Sequence, residues 1–191
     1  MRALRLLIAV LIPFAAAACM STGQIVSSGA RYSTNAAVTE DYHLGVGDKL
    51  GITVFDEDSL SGEFTVAADG TLSVPLIGAL DVVDMTPAEL TKDLTARLAD
   101  GYLRDPKVTV EVLSYRPYFI LGEVRSPGQY PYASGLTAIN AIAAAQGFTP
   151  RGSENVVFIR KFGSAKETAY RLTPELRVWP GDTIRIAERY F

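Results

Sequence analysis

Few side chains in this 191-residue sequence are placed for chemistry. His43 is its only histidine, so a metal site with several imidazole ligands is excluded. A nucleophile–histidine–carboxylate triad would have to use His43. Asp56-Glu57-Asp58 is an acidic run in an expected loop. It could hold a cation weakly, or Asp56 and Asp58 could act as the paired carboxylates of a carbohydrate enzyme. A solvated loop is the preferred reading. Gly45-x-Gly47 followed by Gly51 misses the dinucleotide spacing, and Asp48 would repel a phosphate. No GxxxxGK[ST] loop occurs. The expectation is a protein with no catalytic residues, no cofactor and no bound metal.

Cys19, the only cysteine, has another chemistry open to it. Arg2 and Arg5 precede an apolar run, Leu6–Ala18, which is too short to span a bilayer and ends in small residues. This is a secretory signal, expected over residues 1–18. Ala16-Ala17-Ala18-Cys19 resembles the lipobox of bacterial lipoproteins, although Ala16 stands where leucine is usual. That resemblance implies S-diacylglyceryl and N-acyl attachment at Cys19. An ordinary signal-peptidase site at Ala16-x-Ala18 is the alternative. Met20 at the next position, in place of aspartate, favours the outer membrane over inner-membrane retention.

Without residues 1–18 the chain keeps 16 basic and 21 acidic side chains, a formal −5 with no basic tract. Nucleic acid is therefore not expected as a partner. With one cysteine the chain can form no internal disulfide. Residues 19–40 are rich in Ser, Thr, Gly, Ala and Asn and read as a flexible linker between lipid and body.

The body divides into two α+β units, expected over 41–115 and 116–191. In the first, Leu50, Ile52 and Val54 alternate as in a strand, and Phe64 and Val66 continue the pattern. Asp69-Gly70 predicts a hairpin whose return strand carries Leu72 and Val74. Thr86, Pro87 and Glu89 form a helix-start signature, and Leu90, Leu94 and Leu98 share one face up to the stop at Gly101. Val108, Val110 and Val112 close the unit. The second unit opens with a strand over 118–124, turns at Ser126-Pro127-Gly128, and has a helix near 137–146. Strands follow at 156–161, 168–172 and 183–187. Gly47-Asp48 and Gly181-Asp182 each precede an alternating strand, and both read as structural turns. Basic residues concentrate in the second unit and acidic ones in the first.

Tyr42–Leu50, Ala68–Gly78, Thr86 with Glu89-Leu90, and Asp105-Pro106-Lys107-Val108 together resemble the export domain of the bacterial polysaccharide export family, the Wza-type outer-membrane proteins. Leu121-Gly122-Glu123-Val124, Pro127-Gly128-Gln129-Tyr130, Ala145-Gln146-Gly147-Phe148 and Val178–Ile184 resemble the soluble-ligand-binding β-grasp (SLBB) domain that follows it there. Gln146 stands where the family more often has glycine.

The resemblance implies a homo-oligomeric ring in the periplasm, anchored to the outer membrane, through which capsule or exopolysaccharide passes. It implies docking to an inner-membrane polysaccharide copolymerase and no catalysis. Large members add a C-terminal spanning helix, and none follows the last strand signal here. A separate outer-membrane β-barrel or another protein is therefore expected to complete the crossing. A tethered β-grasp module that binds a soluble sugar or cell-wall fragment is the competing reading.

Overall fold

The structure is a computed structural model that describes residues 24–32 and 42–189. Cys19 and the expected signal segment lie outside the described residues.

The first unit is built around strand β1 (Lys49–Val54), which buries Leu50, Ile52 and Val54 on one face. It pairs antiparallel with β2 (Gly62–Thr65) and β5 (Val108–Ser114), in the order β2-β1-β5. A separate two-stranded ladder joins β3 (Thr71–Val74) to β4 (Gly78–Asp81). Helix α1 (Pro87–Ala99) packs Leu90, Leu94 and Leu98 into the core these strands share. Its start is fixed reciprocally: the Glu89 amide donates to Thr86 Oγ1 at 3.2 Å, and the Thr86 amide donates to Glu89 Oε2 at 2.8 Å.

The second unit has one five-stranded sheet in the order β7-β6-β10-β8-β9. Its strands are β6 (Tyr118–Gly122), β7 (Gly128–Tyr130), β8 (Gly152–Arg160), β9 (Glu167–Arg171) and β10 (Thr183–Glu188). Only β6 and β10, the first and last, run parallel. Helix α2 (Ala138–Ala144) buries Ala138, Ala141 and Ile142 in the core of this sheet, whose small residues permit close approach. This is a β-grasp arrangement, and the whole chain is α+β with two cores.

Two expectations need correction. The Asp69-Gly70 turn does not join paired strands. The Ala67 amide donates to Thr71 O at 2.8 Å, and the two strands then part: β2 stays on β1, while β3 pairs with β4. The cause lies just before the turn, where the Val66 amide donates to Asp48 O and Val66 O accepts from the Gly47 amide, which commits that strand to the β1 side. The second correction concerns the linker over 19–40. Residues 24–32 are docked on the second unit, where Val26 lies parallel beside Tyr170 at the β9 edge. The Val26 amide donates to Ala169 O at 2.9 Å, and the Arg171 amide donates to Val26 O at 2.8 Å. A composition poor in apolar residues denies this arm a core of its own, but an open sheet edge supplies partners from outside.

Candidate functional site

The two Gly-Asp turns noted in the sequence are built alike. Gly47 and Gly181 have φ of +88° and +81°, where a side chain would be strained. Each aspartate receives a hydrogen bond from the amide three residues back: Gly45 N to Asp48 Oδ2 at 2.8 Å, and Trp179 N to Asp182 Oδ2 at 2.9 Å. Each is buried, and each is paired with an arginine distant in sequence.

Asp48 meets Arg116. The Arg116 amide donates to Asp48 Oδ1 at 2.8 Å, and its Nη1 lies 3.1 Å from Asp48 Oδ2. Nη1 also donates to the Tyr42 hydroxyl, which itself donates to Asp48 Oδ2 at 2.5 Å. Burial, and then that hydrogen bond to a carboxylate, push the Tyr42 phenol far above its ordinary range. Arg116 Nε reaches across to Pro180 O at 3.2 Å, and the guanidinium lies 5.1 Å from the Phe162 ring centroid. The absent side chain of Gly45 makes room for this group: a Cβ there would sit 2.3 Å from Arg116 Nη1. Gly45, the first glycine of the sequence that nearly imitates a dinucleotide loop, therefore accommodates a guanidinium. Tyr42, Tyr115 and Tyr132 extend the junction edge to face, with centroids 4.8 and 5.4 Å apart.

Asp182 meets Arg31 from the docked arm, with Nη1 2.6 Å from Oδ2 and both side chains almost fully buried. The Arg31 guanidinium stacks 3.8 Å from the Trp179 ring and donates to Arg177 O. The sequence alone assigns neither arginine as the partner of an aspartate. The missed signal was the Gly-Asp echo itself: a buried carboxylate requires a cation, and the repeat announces two.

The other candidates separate. His43 lies on the surface, with Nδ1 2.6 Å from Asp84 O, where it must be the donor. Asp56 and Asp58 are exposed; Asp58 opens a 3₁₀ turn, Asp58–Leu60, and Asp56 lies two residues before it. No cluster of metal-ligating side chains occurs among the described residues. The basic residues of the second unit are partly engaged internally, as in the two-pronged Arg185–Glu167 pair, whose hydrogen bonds hold the Glu167 carboxyl below its usual range. Residues 42–115 hold 13 acidic and 5 basic side chains, and residues 116–189 hold 6 acidic and 10 basic. The two units are thus oppositely charged.

Residues 36–113 match the family described as polysaccharide biosynthesis/export protein, and residues 117–171 match the SLBB domain. The chain belongs to the Wza-type polysaccharide export family. It is 31% identical over 173 residues to the exopolysaccharide production protein ExoF of Rhizobium meliloti, across 84% of this chain and 41% of ExoF. It is 24% identical to the polysialic acid transport protein KpsD of Escherichia coli, across 74% of this chain and 25% of KpsD. It is 28% identical to the EPS I polysaccharide export outer membrane protein EpsA of Ralstonia solanacearum, across 60% of this chain and 37% of EpsA. The chain thus spans about two fifths or less of the length of these relatives. Arg116 falls in the short gap between the two domain matches. It is the residue that ties export domain to SLBB domain, through Asp48 on one side and Pro180 on the other.

Proposed function

We propose that this chain is a component of a bacterial polysaccharide export conduit, with its body in the periplasm and its N-terminus lipidated at Cys19 in the outer membrane. The observation that carries the reading is an export domain directly followed by an SLBB domain and joined to it through Arg116, which is ion-paired to Asp48 and hydrogen-bonded to Pro180 O, in a chain similar along most of its length to proteins named for polysaccharide production and transport. The cargo is a polysaccharide chain. Copies assemble into a homo-oligomeric ring, and the inner-membrane copolymerase docks beneath the export domain. No helix among the described residues is long and apolar enough to cross a membrane.

Deleting the gene and measuring extracellular polysaccharide tests the core of this reading. Polymer output should collapse and return on complementation; unchanged output refutes it. Mass of the native complex after gentle detergent extraction tests the ring, and a monomer refutes it. Cys19→Ser should give a folded protein released from the membrane fraction. Continued outer-membrane fractionation of that variant would assign the attachment to partner contacts.

A further inference from the structure

At the end of the β1–β5 ladder the chain forms a cleft of about 280 Å³. One wall is Phe55, 67% exposed although its backbone is pinned by a hydrogen bond from its amide to Lys107 O at 3.0 Å. Leu103 and Pro106 extend the apolar surface. Around it stand three acceptors (Asp56, Glu57 and Asp105) and two donors (Arg104 and Lys107). Among the described residues none of these five side chains forms a hydrogen bond or an ion pair. Opposite charges thus line one cleft without pairing.

We propose that this cleft is a sugar subsite that receives a neutral hexopyranose unit of the exported polymer. The inference rests on the export reading and names which part of the chain the cargo touches. The argument is by chemistry of lining. A bound anion would face three carboxylates, and a bound cation would face an arginine and a lysine. A pyranose has an apolar face, which stacks on an aromatic ring, and a rim of hydroxyls that each donate and accept. Phe55 offers the ring, and the unpaired charges offer both kinds of partner. The volume lies just under the range of about 300 Å³ and upward that suits drug-sized ligands, which limits it to about one sugar ring. Such a site holds weakly, with a dissociation constant of about millimolar. That suits cargo which must leave again, as conduction requires.

Saturation-transfer NMR on the full-length protein in detergent tests this, since it reads weak ligands on large assemblies. The probes are cellotetraose, which is neutral, and tetragalacturonate. Cellotetraose ring protons should receive saturation, and Phe55→Ala should lower that affinity about five- to tenfold. Phe55→Trp should retain it and guards against a misfolded alanine variant. No transfer to cellotetraose, an unchanged signal in Phe55→Ala, or stronger transfer to tetragalacturonate each overturns the assignment. The gene deletion separates the two levels. If deletion abolishes export and cellotetraose does not bind, the subsite falls and the export reading stands. If deletion leaves export intact while Phe55-dependent binding is seen, the export reading falls, and the cleft stands as a sugar site whose ligand is not the exported polymer.

Discussion

Asp182→Ala should release the N-terminal arm while the β-grasp sheet stays folded. In the native protein Arg31 Nη1 lies 2.6 Å from Asp182 Oδ2, with the side chains 3% and 2% exposed. Arg31 Nε and Nη2 already lack hydrogen-bond partners. Removing the carboxylate strands a buried guanidinium, a change that costs about 3–5 kcal/mol. An arginine in a core has nowhere to go, but Arg31 sits on a short arm. That arm is held by three backbone hydrogen bonds, a further bond from Arg31 to Arg177 O, and the Tyr32 hydroxyl close to two carbonyl oxygens. At about 0.5–1.5 kcal/mol each these contribute a few kcal/mol. Ordering the arm opposes them by about 1 kcal/mol per residue. With the ion pair gone, release to water is the cheaper relaxation.

Trypsin reads this directly, because the Arg31–Tyr32 bond is shielded in the native protein and open in the released arm. Cleavage there, together with faster exchange of the Arg171 amide, is expected at protease levels that leave the wild type intact. Protection equal to wild type at both places would refute the reasoning. Asp182→Asn keeps an acceptor for the Trp179 amide and removes the charge, so it tests the same point should the alanine variant unfold.

Three further outcomes are expected. Gly45→Ala should expel the Arg116 guanidinium from its seat and cost about 1–3 kcal/mol in chemical denaturation. Thr86→Ala removes the side-chain half of the capping box on α1, while the residue-86 amide keeps its bond to Glu89, and should cost about 0.5–2 kcal/mol, without altering the SLBB domain. The pH dependence should have two arms. The Tyr42 phenol is raised in the folded state, so its contribution is full below its unfolded value of 10.0 and is lost as pH climbs above it; Tyr42→Phe should flatten that alkaline loss in thermal melts. Glu167 is depressed when folded, through Arg185, so its contribution is present above 4.5 and fades as pH falls below that; Glu167→Gln should flatten the acid arm.

Much of the fold was legible because local rules and tertiary structure agree in it. The leucine stripe of α1, its capping box and the alternation in β1 all point one way, and all appear. What failed was pairing. A turn signal such as Asp69-Gly70 reports that the chain reverses but not which strand it rejoins, and here the Val66 bonds to the Gly47-Asp48 turn decide. The arm failed for a related reason. Composition measures whether a segment can order itself, whereas Val26 and Arg31 are ordered by a surface 140 or more residues away. At the candidate site the aspartates were visible through their repeat. Their arginines were not, because ion-pair partners at such separations leave no spacing to read.

The two buried ion pairs have different tasks, and Arg116→Lys separates them. A buried pair is weak evidence for stability but can specify geometry. Arg116 contacts Tyr42 and Asp48 in the export domain and Pro180 in the SLBB domain through three separate groups of one planar cation and its amide. Lysine presents a single compact charge on a flexible stem and cannot reproduce that fork. It can still neutralise Asp48, and the backbone bond from residue 116 to Asp48 Oδ1 remains. The export core should therefore lose only about 1 kcal/mol, while the two domains gain freedom about the 114–116 gap. Small-angle scattering should show a broadened distribution of domain separations for the variant with its melting point little changed. An unchanged distribution would mean that the Tyr42–Tyr115–Tyr132 stack, and not the guanidinium, sets the angle between export domain and SLBB domain.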